Sequence, residues 1–313
     1  MEESGNTLYL TLLIIISVLS LFGCTVLLIN YLKQRHRTQL ATKLFAILSI
    51  SDAIYVIAVV ANPMPQTDGT FCVIQALFKQ LSSLATFIVN FFFCFTTFLT
   101  IVNDIRLIDT NYKIYKRNVN IFSILFPFII ALIPLTYNGY GKQYYACSLK
   151  TQNTFWIGAL LLQYLPFGFL FGASLFFLLK IQRFLREIQQ NKADDNKIDK
   201  FNDITFLSKN SQINEGEQYI RVLSYYTLVH FFCWLPIIIS SIVDITLQRD
   251  LIWFEGISYI IACSQGFFDL ILFRISKQVS LKIQYFESNN SILSGDHNDI
   301  YRGSGSALYI SRL

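Results

Sequence analysis

Seven long apolar stretches, separated by short polar segments, dominate the chain. They run approximately over 8–32, 39–62, 72–102, 119–137, 154–182, 219–245 and 251–274. About 20 apolar residues in a helix cross the hydrocarbon core of a bilayer. Barrel strands are about 10 residues long and alternate in polarity, so these stretches predict helices rather than strands. The expected fold class is an all-α membrane protein, a bundle of seven spans. The first seven residues then form a short tail, and 8–274 form the transmembrane domain with a long polar loop at about 183–218.

The polar positions inside the spans are few and ordered. In span 3, Gln75, Lys79, Ser83, Thr86, Asn90, Cys94 and Thr97 recur every three or four residues, which places them on one helix face. Such a face predicts orientation into the bundle, either for interhelical hydrogen bonding or, in its Lys79 half, to line a water-filled ligand cavity. Lys79 can hold an anionic ligand group or pair with Glu255 or Asp244. Asp52 falls about 12 residues into span 2, roughly 18 Å along the helix and so near its middle. Asp269 lies deep in span 7. Ionisable groups at such depths are costly unless partnered, which makes both candidates for a function. The two can share a sodium ion or a proton; the bland alternative is that each is satisfied separately within the bundle.

After span 7, Ile275, Val279, Ile283 and Phe286 keep helical spacing, so 275–286 is expected as a helix lying on the membrane surface, followed by a flexible tail at 287–313. Pro127, Pro134, Pro166 and Pro236 fall within spans 4, 5 and 6, where each removes a backbone hydrogen bond and invites a kink.

Charge adds orientation. Of the 25 Lys and Arg residues, 21 fall on the side of the first, third and fifth loops and the C-terminal tail. Only Lys79, Lys142, Lys150 and Arg249 lie on the other. The positive-inside rule then predicts an exterior N-terminus and a cytoplasmic C-terminus. The net charge of +5 follows from that asymmetry and carries no implication of nucleic acid. Charged residues make up only 14% of the 313 residues, against about a quarter in soluble domains, as expected where much of the surface faces lipid. Glu2 and Glu3 replace the basic segment of a cleaved signal peptide, so the first span is expected to be retained. Of the six cysteines, Cys24, Cys94, Cys233 and Cys263 lie within spans. Cys72 and Cys147 fall on the exterior side, either as a disulfide closing the loop over the bundle mouth or as two separate thiols.

Several of these residues resemble the G-protein-coupled receptor superfamily. Cys233-Trp234-Leu235-Pro236 fits its sixth-helix C-W-x-P motif, and Leu48-Ser49-Ile50-Ser51-Asp52 resembles the second-helix segment with the sodium-linked aspartate. Cys72 and Cys147 occupy its usual disulfide positions. Within the superfamily, Cys72-Val73-Ile74-Gln75 and Ser264-Gln265-Gly266-Phe267-Phe268-Asp269 look closer to the cyclic-AMP-receptor-like branch. The D-R-Y triplet of rhodopsin-like receptors is absent. Their N-P-x-x-Y motif stands here as Asp269-Leu270-Ile271-Leu272-Phe273.

The resemblance implies a plasma-membrane receptor that passes binding of a small extracellular ligand to a heterotrimeric G protein. Gln75, Lys79, Ser83, Thr86 and Trp234 are the expected ligand-binding residues, and Asp52, Trp234, Pro236 and Asp269 the expected switch, with span 6 moving about Pro236. No cofactor is expected. Residues 251–273 hold no lysine for a retinal Schiff base, and His36, His230 and His297 fall in a loop, in span 6 and in the tail, where they cannot converge into the ligand set of a metal hydrolase. No nucleophile or phosphate-loop motif points to an enzyme. The competing class is a transporter or channel using Asp52, Asp269 and the span 3 stripe as its path, although no inverted repeat is visible.

Overall fold

In a computed structural model, residues 2–33, 40–63, 67–101, 110–150, 155–195, 225–243 and 252–275 are described. Among them are seven helices long and apolar enough to cross a bilayer, in the order expected from the sequence. Spans 1 to 7 run over Asn6–Lys33, Lys43–Ala61, Thr70–Leu99, Arg117–Tyr137, Ile157–Phe184, Tyr225–Val243 and Ile252–Ile275. The chain is an integral, multi-pass membrane protein. The helix carrying span 1 begins at Glu2, so the segment expected as a short tail is already helical. That carrying span 5 continues to Asp195, well into the long loop. The rest of that loop, Asp244, the surface helix expected after Ile275 and the tail from 287 lie outside the described residues.

Span 3 is the axis of the bundle. Two thirds of its apolar window is buried (67%), against 28% for spans 4 and 5, whose outer faces are left for lipid. It packs against spans 2, 4 and 5, while span 1 packs on spans 2 and 7. The whole polar stripe of span 3 is buried, as its spacing predicts. The apolar core beside it includes Phe87, which stacks on Phe167 of span 5 at 4.2 Å between ring centroids. The same ring meets His230 and Trp234 of span 6 edge-on at 4.5 and 5.4 Å.

Spans 1 and 7 meet backbone to backbone. A Cβ on Gly23 would stand 2.3 Å from the Gly266 carbonyl oxygen, and one on Gly266 would strike Cys24 and Ser20. Only glycine allows that approach, the small-residue logic of helix packing in membranes. Beside this contact span 7 breaks its helical run at Ser264, whose carbonyl accepts from the N–H groups of both Phe267 and Phe268.

The prolines act in different ways. Pro127 and Pro236 stay inside helical segments. Pro134 opens a 3-10 turn, Ile133–Tyr137, that ends span 4. Pro166 follows a π-helical turn at Leu160–Tyr164. Lacking an N–H, Pro166 cannot serve the Leu162 carbonyl four residues back, and the Gln80 side chain of span 3 donates to it instead at 3.1 Å.

Between spans 4 and 5 the chain forms a hairpin of two short antiparallel strands, β1 (Tyr140–Lys142) and β2 (Cys147–Leu149). A disulfide joins Cys147 to Cys72 at the start of span 3, with Cα atoms 5.3 Å apart. Asp68, in the loop before span 3, accepts from the Lys142 N–H. At the hairpin tip Tyr145 packs at a tilt against Tyr9 of span 1, with ring centroids 4.2 Å apart, and abuts Gly256 of span 7. The hairpin is therefore fastened to spans 1, 3 and 7 and roofs one end of the bundle.

Candidate functional site

Two polar layers lie beneath this roof, and Trp234 separates them. The upper layer surrounds a cavity of about 20 Å³, lined by Lys79, Gln80, Ser83, Tyr55, Tyr259 and Trp234, with Gln143 and Ser148 of the hairpin region above and Gln163 and Ser241 at the sides. A cavity needs about 10–15 Å³ of such space to hold a water molecule, so this one has room for little more than a single water. A second lobe of about 10 Å³ shares Gln143, Ile237, Ser241 and Tyr259 and reaches Ser240, Ser258 and Glu255.

Lys79 is 5% exposed, and its ammonium donates to the Tyr259 hydroxyl at 2.8 Å. It also lies 4.6 Å from the centroid of that ring, so the phenol supplies both an acceptor and a π face. Glu255 stands one helical turn from Tyr259 on span 7, and its charge reaches both Tyr259 and Lys79. Of the partners expected for Lys79, Glu255 is thus near, but the hydrogen bond goes to a tyrosine. Outside the spans, burial holds the Tyr145 phenol above its ordinary pKa, reinforced by Tyr144 and Glu255. The roof residue therefore stays neutral around pH 7.

Trp234 forms the floor of the cavity, packed edge-on against Tyr55 at 4.8 Å. Its indole N–H donates downward to Gln265 Oε1 at 2.5 Å. Gln265 Nε2 in turn donates to Asp52 Oδ2 at 3.4 Å, and the Thr86 hydroxyl donates to Asp52 Oδ1 at 3.1 Å. The Asp52 and Asp269 carboxyl groups lie close enough to act on each other electrostatically. Among the described residues, Asp269 Oδ2 and the hydroxyls of Ser17 and Ser20 are buried without a hydrogen-bond partner. Two adjacent buried carboxyl groups amid amide and hydroxyl groups can share a proton or a small cation such as sodium. Lower still, Cys94 and Asn90 of span 3 meet Thr227 of span 6 at 3.2 and 3.4 Å, and the Tyr226 hydroxyl donates to the Asp269 backbone carbonyl at 3.2 Å.

The residues expected to bind a ligand divide three ways. Lys79, Ser83 and Trp234 line the cavity together. Gln75 does not: its amide donates to the Ala58 and Asn62 carbonyls and accepts from the Cys147 N–H. It caps the end of span 2, where helical carbonyls lack partners, and ties it to the roof. Thr86 belongs to the lower layer through Asp52. The expected switch residues Asp52, Trp234 and Asp269 come together, while Pro236 sits two residues beyond Trp234 in span 6. Tyr55, Tyr259 and Gln163 are lining residues that sequence reasoning missed. A tyrosine in an apolar run reads as core, but Gln163 and Gln265 carried the usable signal of amides inside spans.

No protein-family model matches the chain, and no curated protein sequence resembles it. Among solved structures it is similar to squid rhodopsin, with a TM-score of 0.73 over 97% of this chain and 90% of that one, at 12% sequence identity. A likeness at that identity shows a shared seven-helix fold.

Proposed function

We propose that this chain is a G-protein-coupled receptor of the cyclic-AMP-receptor-like type, resident in the plasma membrane with its hairpin end outside. A small ligand enters beneath the Cys72–Cys147 staple and is met by Lys79, Ser83 and Trp234. The observation that carries this reading is the double role of Trp234. One face of the indole lines the cavity, and its N–H is bonded through Gln265 to Asp52. A ligand that contacts Trp234 better in one bundle state than in the other shifts the population of the two by that difference in affinity. Span 6, carrying both Trp234 and Pro236, is the moving element. Its Tyr225 end then opens a cleft for a heterotrimeric G protein. Asp52 and Asp269, with a shared proton or sodium ion, bias the resting state. The rhodopsin-like fold, the positive-inside asymmetry and the C-W-x-P segment point the same way.

The test is G-protein nucleotide exchange in membranes containing the chain, against chain-free membranes, across several Gα subunits and a panel of small ligands that includes cyclic nucleotides. Exchange above background that Trp234→Ala alters at unchanged surface expression supports the receptor. Absence of exchange, with solute flux in vesicles lacking any G protein, refutes it in favour of transport.

A further inference from the structure

The first lobe under the hairpin holds a single cation among neutral polar groups. Lys79 is the one lining residue with a formal charge, and Ile237 the one whose side chain lacks a polar atom. Lys79 is buried, and among the described residues its hydrogen bonding is limited to the Tyr259 hydroxyl. An ammonium has three N–H donors, so two are left without a protein acceptor among those residues. The phenol offers an oxygen and a ring face but no opposite charge, and burying a charge is costly unless it is paired and hydrogen-bonded. Glu255 does not fill that role. It lines the second lobe and holds an interaction of its own, and among the described residues no ion pair joins it to Lys79.

The neutral part of the wall makes a second, separate demand. Gln163 lies in the π turn of span 5 and is its buried residue, and such turns often fall at functional sites. Its Oε1 is buried and has no hydrogen-bond partner among the described residues. An amide oxygen accepts, so it calls for a neutral O–H or N–H donor. The Gln80 amide nearby is already committed to the Leu162 carbonyl. A ligand that answers both demands is an anion with a donor set apart from its charge. That charge is a single one, because one cation faces it and the Glu255 carboxylate of the adjoining lobe repels a second. A carboxylate is the most compact common group of that charge. The lobe has room for little more than a water, so the ligand is small and its entry widens the space.

We infer that this lobe takes a small monocarboxylate carrying a neutral hydrogen-bond donor, in its simplest form a hydroxy acid, with the carboxylate on Lys79 and the hydroxyl on Gln163. The inference names a ligand class for the receptor proposed above. It rests on that reading for the consequence of binding, and on the cavity alone for its chemistry.

The probes are glycolate, lactate and mandelate, each compared with its deoxy acid (acetate, propionate, phenylacetate) and with its uncharged primary amide. They are added to the full chain in nanodiscs at neutral pH, and binding is read as a ligand-dependent rise in the unfolding midpoint. At least one hydroxy acid is expected to bind, with its amide weaker by about 30-fold or more, the lower end of what an unpaired buried charge costs. Its deoxy acid is expected to be weaker by about 3-fold or more, the contribution of one neutral hydrogen bond. Lys79→Gln should erase the preference for acid over amide, and Gln163→Leu that for hydroxy over deoxy acid. Glu255→Gln should keep or strengthen acid binding. Equal binding of a hydroxy acid and either of its analogues by the unsubstituted chain overturns the inference, whatever the variants do. So does the absence of binding by any acid at millimolar concentration, or binding that emerges only in Asp244→Asn, which would show the lysine already paired. Nucleotide exchange is measured on the same nanodiscs with the wider ligand panel. Exchange without acid binding overturns the inference and leaves the receptor standing, whereas acid binding without exchange sustains the inference and counts against coupling.

Discussion

Replacing Gln265 with leucine severs the connection between the cavity floor and Asp52. Leucine nearly matches glutamine in volume, so the site suffers little from a void and the cost lies in hydrogen bonds. The Trp234 indole N–H, at 2% exposure, loses its acceptor, and a neutral donor stranded in the interior costs about 1–3 kcal/mol. The second bond, from Gln265 to Asp52, is 3.4 Å long, at the weak limit of hydrogen-bond geometry. Asp52 also keeps its bond from Thr86. That loss is therefore well under about 1 kcal/mol, and the total expected is about 2 kcal/mol.

A double-mutant cycle with Trp234→Phe isolates the indole contribution, because phenylalanine keeps an aromatic floor without an N–H. Unfolding free energies of the four proteins, from SDS titration in mixed micelles followed by circular dichroism, should show a coupling of about 1–2 kcal/mol. Effects that add to within about 0.5 kcal/mol would refute the reasoning, since the indole bond would then contribute nothing of its own.

Four further outcomes follow from the packing and the disulfide. Gly23→Ala should destabilise the bundle by about 1–3 kcal/mol, because its Cβ meets the Gly266 backbone rather than a side chain that could yield. Gly168→Ala, where an added Cβ meets nothing within 4 Å, should change stability by no more than about 1 kcal/mol and serves as the control in the same titration. Phe87→Ala should cost about 3–5 kcal/mol by the same assay, since the ring is almost wholly buried among Phe167, His230 and Trp234. Replacing Cys72 and Cys147 together with serine should lower stability by at most about 4.5 kcal/mol, the chain-entropy limit for a sequence separation of 75. Helices that remain inserted on unfolding reduce that figure, and a thermal melt with and without reductant reads the effect.

The bundle was legible in the sequence because a bilayer imposes length and polarity on each span separately. The span 3 stripe was legible for a related reason: polar residues at helical spacing in an apolar helix have only the interior to face. Its division of labour was not. Gln75, Lys79 and Thr86 look equivalent along the helix, yet one caps span 2, one meets a tyrosine and one holds an aspartate. Those partners come from other spans, and the Tyr259 acceptor lies 180 residues from Lys79 in sequence. Nor did prolines mark every irregularity. The break in span 7 falls at Ser264, and the glycine two residues on is held by its contact with Gly23 rather than by turn geometry.

The wide turn at Leu160–Tyr164 bears on how this chain tolerates change in length. A π turn holds one residue more than the α-helical turn it replaces. Deleting one of its residues would let span 5 close into uninterrupted α-helix with both flanks still in phase, whereas closing it at unchanged length would rotate everything on its outer side by about 100° relative to the rest. Ala159, now packed against Cys72, Tyr140 and Cys147, would swing off the hairpin, and a bulkier neighbour would take its place. The Leu162 carbonyl would also turn away from Gln80. At this point along the helix the width of the turn, more than the identity of its residues, selects which side chains meet the roof.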